Sequence, residues 1–179
     1  MKTIVIYKSK TGFTKKYAEW ISEELSADIF DVSKVRIDII KNYDTVIYGG
    51  SLYASGITGV KFIKQNIYKL KEKNIIVFAT GASPSKNEAI NEVKDKNFTN
   101  DEQKFIRFFY LRGGFNYSKL NSFDKILMTL LKWKLKNKKD LTSDEKGMLA
   151  AYNNPVDFTR KKNLDELIIY VKSLESISK

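Results

Sequence analysis

Three hydroxyl side chains, Ser9, Thr11 and Thr14, fall within the six residues "SKTGFT", with Lys10, Gly12 and Phe13 between them. The stretch follows directly on the apolar run Thr3-Ile4-Val5-Ile6 and leads into a helical pattern. At such a junction hydroxyls can donate to an anion and a glycine lets the backbone close in. The first helical turn adds unpaired N–H groups and its positive dipole end. Each dipole contribution is about 0.3–1 kcal/mol, so a phosphate site needs several donors acting together. The plainer alternative is that Thr14 caps the helix and Gly12 only turns the chain, since Ser, Thr and Gly are common at helix starts. Two further loops favour the phosphate site: "GGSLYASG" after the third strand and "TGASPS" after the fourth use the same small and hydroxylated residues.

Composition narrows the chemistry. The chain has no cysteine and no histidine, which removes disulfides, iron–sulfur clusters, thiol catalysis, Ser-His-Asp chemistry and most zinc and copper sites. No metal site is expected, and any redox work must come from a bound organic cofactor. There is no G-x-G-x-x-G after the first strand and no G-x-x-x-x-G-K-[ST] anywhere, so dinucleotide and P-loop readings are weak. A phosphate-accepting receiver domain would need acidic residues after strand one and an aspartate ending strand three. The sequence has Lys8-Ser9 and Gly49-Gly50 there.

Lys and Arg outnumber Asp and Glu by 32 to 21, a formal charge of +11. Such a surplus favours acidic partners: nucleic acid, an anionic membrane surface or an acidic protein. The N-terminus carries no secretory pattern and no segment approaches the length of a membrane-spanning helix, so the expectation is a cytoplasmic protein.

The elements that must position the loops can be read from periodicity. "TIVIY" (Thr3–Tyr7) is the near-continuous apolar run of a strand buried on both faces, and Thr14–Leu25 places Tyr17, Ala18, Ile21 and Leu25 at helical spacing. "DIFDV" (Asp28–Val32) reads as a less buried strand, and "TVIYGG" (Thr45–Gly50) as a strand running into a glycine turn. A helix is expected from Thr58 to about Lys71, a fourth strand over Asn74–Ala82, a helix over Asn87–Val93 and a fifth strand within Phe105–Gly113. Lys161–Ser176 closes the chain as a helix. Strands alternating with helices predict a doubly wound parallel sheet of five strands, in one α/β domain covering residues 1–179.

About forty residues between the fifth strand and the last helix exceed a plain connection. We expect residues 117–156 to form a basic helical insertion in the domain. "FDKILMTLLKWKLKNKK" (Phe123–Lys139) is helical, and "LTSDEKGM" is a second short helix capped by Thr142 or Ser143. Residues 118–139 hold seven lysines against one aspartate, with Trp133 among them. One reading is a helix packed on its own domain through Phe123, Ile126, Leu127, Leu130 and Leu131, its lysines a solvated face. The other is a segment lying on an anionic membrane surface.

"SKTGFT" resembles the T/S-x-T-G-x-T phosphate loop of flavodoxins, which bind flavin mononucleotide (FMN), and the other two loops resemble those that grip the flavin ring. The resemblance implies strand order 2-1-3-4-5, Ser9–Thr14 on the FMN phosphate, and Ser51, Leu52, Tyr53 and Ala54 on one side of the ring. Thr80, Gly81, Ala82 and Ser83 would take the other side. Tyr53 could stack on the ring or be an ordinary loop tyrosine. The insertion is similar to that of the menaquinone-dependent protoporphyrinogen oxidases, flavodoxin-like enzymes with an extra segment after the fifth strand. "GGFNYSKLNSFDKILM" (Gly113–Met128) resembles the start of that segment, and "VDF" (Val156–Phe158) the Asp-aromatic pair before the last helix.

The resemblance implies an FMN-dependent oxidoreductase passing electrons from a reduced substrate to a quinone, with no evident acid or base among its side chains. Two competitors stand beside it: a flavodoxin-like electron carrier with an acidic redox partner, and a basic nucleic-acid-binding module without cofactor. A lipid-dissolved quinone would place the protein at the inner face of the membrane, in peripheral contact through residues 118–139.

Overall fold

β1 (Thr3–Lys8) is apolar from Ile4 to Ile6 because both of its faces are covered. The computed structural model describes residues 1–53, 55–84 and 86–177. Strand side chains alternate, so Ile4 and Ile6 enter one half of the core and Val5 the other. β2 (Asp28–Asp31), β3 (Thr45–Tyr53), β5 (Asn74–Gly81) and β6 (Ile106–Arg112) complete a parallel sheet of order β2-β1-β3-β5-β6. The two-residue β4 (Gly56–Ile57) pairs antiparallel with β3. Counting the five parallel strands alone, the order is 2-1-3-4-5, and the fold is flavodoxin-like.

Helices cover both faces. α1 (Phe13–Leu25) and α8 (Asp165–Ile177) bury Tyr17, Ile21, Leu167 and Val171 against Val5, Ile47, Ile76 and Phe78. On the other face α2 (Ile37–Ile40), α3 (Lys61–Asn66) and α4 (Asn87–Asn97) bury Ile40, Ile63 and Val93 against Ile6, Tyr48 and Val77. The short α5 (Asn100–Gln103), with a capping box between Thr99 and Glu102, leads into β6.

Several boundaries differ from the sequence expectation, each for a local reason. β3 does not turn at Gly49-Gly50 but runs on to Tyr53. These glycines serve close packing: a Cβ on Gly49 would overlap the Phe78 ring, and one on Gly50 would meet Ile57 and the Thr58 carbonyl. The pattern from Thr58 to Lys71 forms a helix only from Lys61 to Asn66, followed by a 3₁₀ turn over Ile67–Lys69. Gly59, at φ 74, holds the chain in a turn before the helix can start. α4 runs four residues beyond Val93, and the stretch Lys161–Leu164 is a 3₁₀ turn ahead of α8.

The insertion is closed at its base by a ribbon of two residues each, β7 (Gly114–Phe115) against β8 (Val156–Asp157). Above it stand α6 (Ser122–Lys136) and α7 (Ser143–Ala151), the latter capped by Thr142 in a capping box with Glu145. α6 does not pack inward through the stripe expected from its periodicity. Phe123, Ile126 and Leu130 are 67%, 61% and 58% exposed, while Asp124 and Leu135 are buried. The inward face is a neighbouring one, 124-128-131-135, and it is chosen by a polar contact described below.

Candidate functional site

The chain leaves β1 towards β2 and leaves β3 towards β5, so the strand order reverses between β1 and β3. Ligands of open parallel sheets bind beyond the carboxyl ends of the strands at such a point. Register keeps the three loops level there: Lys8 pairs with Gly50, Ser51 with Thr80 and Gly81 with Arg112.

The first loop is closed by its own side chain, with the Gly12 N–H donating to Ser9 Oγ at 3.1 Å. Gly12 has φ 99, in the left-handed region, and is the N-cap of α1. No described atom lies within 4 Å of the place where its Cβ would stand, so the space above the loop is open. The Lys16 N–H reaches the Gly12 carbonyl at 3.0 Å, which leaves the N–H groups of residues 13–15 without an intrahelical acceptor. Thr14 is therefore not the cap. Its side chain is fully buried, and its hydroxyl is shared with Ser51 Oγ at 2.8 Å and Thr80 Oγ1 at 2.5 Å. One buried hydroxyl thus ties the three loops together, and the Lys10 N–H adds a 3.3 Å bond to Ser51 Oγ.

The second loop carries Leu52 and Tyr53, paired with Ile57 and Gly56; Ala54 lies outside the described residues. The return of this loop is held by Asn97, a buried residue that the sequence did not single out. Asn97 accepts from the Ile57 N–H and donates to the carbonyls of Ser55 and Val93. In the third loop the Gly81, Ala82 and Ser83 carbonyls accept from the Gly113 N–H, the Arg112 side chain and the Tyr110 hydroxyl. Burial pushes the Tyr110 phenol up to about 12, so it stays a neutral donor.

These loops border a cavity of about 700 Å³, within the range of roughly 300–1,000 Å³ usual for small-molecule sites. Lys10, Thr11, Phe13, Ser51, Leu52 and Tyr53 line it, as do Thr80, Gly81, Ala82 and Ser83, whereas Ser9, Gly12 and Thr14 shape the first loop behind that wall. The roof comes from the insertion, through Phe115, Leu120, Leu127, Met128, Leu131 and Met148.

One contact joins rim and roof. The Lys10 ammonium donates to Asp124 Oδ2 at 2.7 Å and stands 3.9 Å from the centroid of the Tyr53 ring. The Asp124 side chain is only 3% exposed and also accepts from Asn121 Nδ2, while its N–H is capped by Asn121 Oδ1. Asp124 was missed in the sequence because its partner lies 114 residues away. The available signals were its place in the Phe123-Asp124-Lys125 triplet that opens the insertion helix and its position as the sole acid in that lysine-rich helix. Tyr53 presents one face to a cation, which is favourable through the ring quadrupole.

Three loops at the carboxyl edge of a flavodoxin-like sheet and an apolar roof from the insertion thus border one cavity. The flavodoxin-domain family model matches residues 4–142, and the chain belongs to that family. An uncharacterized protein of Methanocaldococcus jannaschii is 34% identical over 98 residues, 54% of this chain; the chain spans only 65% of that relative's length. Protoporphyrinogen IX dehydrogenase (quinone) of Escherichia coli strain K12 is 22% identical over 144 residues, covering 73% of this chain and 78% of that protein. Among solved structures, a flavodoxin from the domain Archaea is 18% identical with a TM-score of 0.45, covering 73% of this chain and 93% of that one.

Proposed function

We propose that this protein binds FMN and acts as an oxidoreductase of the protoporphyrinogen-oxidase type, taking electrons from a reduced substrate and delivering them to a quinone. The observation that carries the reading is the shared cavity. Loops of the flavodoxin type and the insertion that resembles the oxidases line the same space, so the insertion belongs to the site and is not an appendage. The 22% identity to the dehydrogenase from Escherichia coli supports it.

The residues fit a phosphate ester joined to a flat apolar ring. The open space above Gly12, the N–H groups at the start of α1, the Thr11 hydroxyl and the Lys10 ammonium suit the phosphate. Leu52 and Tyr53 would lie on one side of the ring, Ala82 and Ser83 on the other. FMN, when bound, supplies the acceptance and release of electrons that no side chain here offers. The chain's own part is to orient and to exclude. Thr14 locks the three loops in register, Tyr110 holds the third loop, and α6 and α7 keep water from the roof.

Titration with FMN and with riboflavin, followed by flavin fluorescence, tests the site. FMN should bind more tightly, and replacing Thr11 by alanine should weaken FMN far more than riboflavin, whereas Thr14→Ala should weaken both, because the Thr14 hydroxyl ties the three loops together. Losing the Thr11 bond to the charged group should cost about 1.5–3 kcal/mol. Equal affinity for the two flavins in the unmutated protein removes the phosphate site, and no affinity for either favours the nucleic-acid module. Turnover tests the chemistry: protoporphyrinogen oxidised while a menaquinone analogue is reduced over many cycles supports the oxidase. Reduction of a one-electron protein partner without quinone turnover gives the carrier reading instead.

A further inference from the structure

Among the described residues nothing covers the outer face of α6. Phe123, Ile126, Leu130 and Trp133 are spaced by three and four, and Leu127 lies four after Phe123 and three before Leu130, which places all five on one helical face. They are 67%, 61%, 37%, 58% and 69% exposed. Five large apolar side chains in one continuous stripe are more than the scattered exposed residues of an ordinary surface.

Charge narrows the occupant. Within α6, Lys125, Lys132, Lys134 and Lys136 face one acid, Asp124, and that acid is already neutralised by Lys10. By helical periodicity Lys125, Lys132 and Lys136 stand on the face turned away from the stripe, and Lys134 stands within it near the C-terminal end. Lys139 follows just beyond, and the whole chain carries +11. A second copy of this chain would bring the same positive charge to the same face, so self-association is opposed. An apolar stripe ending in tryptophan, backed by lysines, is the pattern of a helix lying in the plane of an anionic bilayer surface. At 15 residues α6 extends about 22 Å. That is too short for a hydrocarbon core of about 30 Å, and no helix of the described residues is long and apolar enough to cross a membrane.

We infer that α6 docks the protein on an anionic lipid surface, with Phe123, Ile126, Leu130 and Trp133 in the interface. Leu127 belongs to both sides of this arrangement, because it is part of the stripe and also lines the roof of the cavity. The docked helix therefore sets the cavity beside the lipid. The docking does not depend on what the cavity holds.

The test uses the full chain with vesicles of phosphatidylglycerol mixed with phosphatidylcholine, and of phosphatidylcholine alone. Expected results are co-sedimentation with the anionic vesicles, a blue shift of tryptophan emission that is absent in Trp133→Phe, and release as salt screens the attraction. Phe123→Ser, Ile126→Ser, Leu130→Ser and Trp133→Ser combined should abolish binding while the far-ultraviolet circular dichroism stays unchanged. If the combination misfolds, Leu130→Ser and Trp133→Ser singly should each weaken binding. Replacing Lys134 and Lys139 by glutamine should weaken binding to anionic vesicles on the order of thirtyfold, at about 1 kcal/mol for each lysine near the surface. Several outcomes overturn the inference: no binding to anionic vesicles, or serine variants that bind as well as the parent. It also falls if the parent ignores vesicles but forms a dimer that the serine variants break, or binds only an acidic polypeptide.

Discussion

β3 and α6 both carry runs of large apolar side chains, and the fold treats them oppositely. Val46, Ile47 and Tyr48 of β3 are fully enclosed, whereas Phe123, Ile126, Leu130 and Trp133 of α6 are 58–69% exposed. β3 has a strand on each edge and helices over both faces. α6 has one inward face, with Met128, Leu131 and Leu135 on it, and is tied down by a few polar contacts: Lys10 to Asp124, Tyr117 to Thr129, and the Tyr152 hydroxyl to the Met128 carbonyl. Apolar burial scales with area and is spread over many residues. A few polar contacts are specific and can be lost together. The sheet is therefore expected to open only with global unfolding, and the insertion by local opening at lower free energy.

The comparison predicts its largest effect in the sheet. Phe78→Ala should cost about 3–5 kcal/mol in urea unfolding, from lost burial and the cavity left behind. Gly49→Ala should cost about 1–3 kcal/mol by overpacking, because its new Cβ would fall on the Phe78 ring. The two together should cost less than their sum, since removing the ring makes room for the methyl group. On α6, Leu130→Ser should stay within about 0.5 kcal/mol of the parent. A large loss there would mean that the stripe is covered in solution.

The same contrast explains what was legible in the sequence. The strands were, because a residue run buried on both faces is apolar at nearly every position, as in Thr3–Tyr7 and Asn74–Ala82. Their loops were also legible, since Ser, Thr and Gly cluster where three of the strands end. The role of Gly49 and Gly50 was not, because a glycine that makes room for Phe78 reads the same as one that turns the chain. On α6, periodicity located four residues of the outer stripe but included Leu131, which turns inward, and could not say which of two faces packs on the domain. That choice depends on Asp124 meeting Lys10, a pairing that no local pattern carries. The β7–β8 ribbon was beyond reach for the same reason, since two residues on each side leave no period to detect.

The Lys10–Asp124 pair offers the next sharpest probe. Asp124→Asn keeps the shape and removes the charge, leaving the ammonium of a residue that is 32% exposed with only a neutral partner. Breaking fully buried pairs is costly, but water reaches Lys10, so about 1–3 kcal/mol is expected. The loss should appear locally. Amide hydrogen exchange should speed up along α6 while β3 and β5 amides keep the protection of the parent. Lys10→Met should do the same, and the double variant should cost less than the two single ones added. Equal loss of protection in sheet and helix would show that the insertion unfolds only with the whole domain.

The smallest differences are expected near neutral pH, because no histidine or cysteine is present to change charge between about pH 5 and 9. The limbs on either side should report different regions. At high pH the sheet responds. The hydrogen bond to Asp28, then burial, pushes the Tyr43 phenol up to about 12, and burial does the same for Tyr110. Their stabilising effect is complete below the ordinary tyrosine value near 10 and is lost as pH rises towards 12, where the folded phenols begin to ionise. Tyr43→Phe and Tyr110→Phe should each flatten that limb of an unfolding free energy measured against pH. At low pH the insertion responds as well. Burial alone would raise the Asp157 carboxyl, but hydrogen bonds from Thr159 and Lys16 outweigh it and hold the value below normal. The hydrogen bond from Lys138 holds Glu145 below normal at the start of α7. Their contribution is present above the ordinary carboxylate value of about 4 and fades as pH falls through the lowered ones. Asp157→Asn should therefore shallow the acid limb without touching the alkaline one. If it instead changes the plateau between pH 6 and 9 while leaving both limbs alone, β8 is held by shape and not by charge.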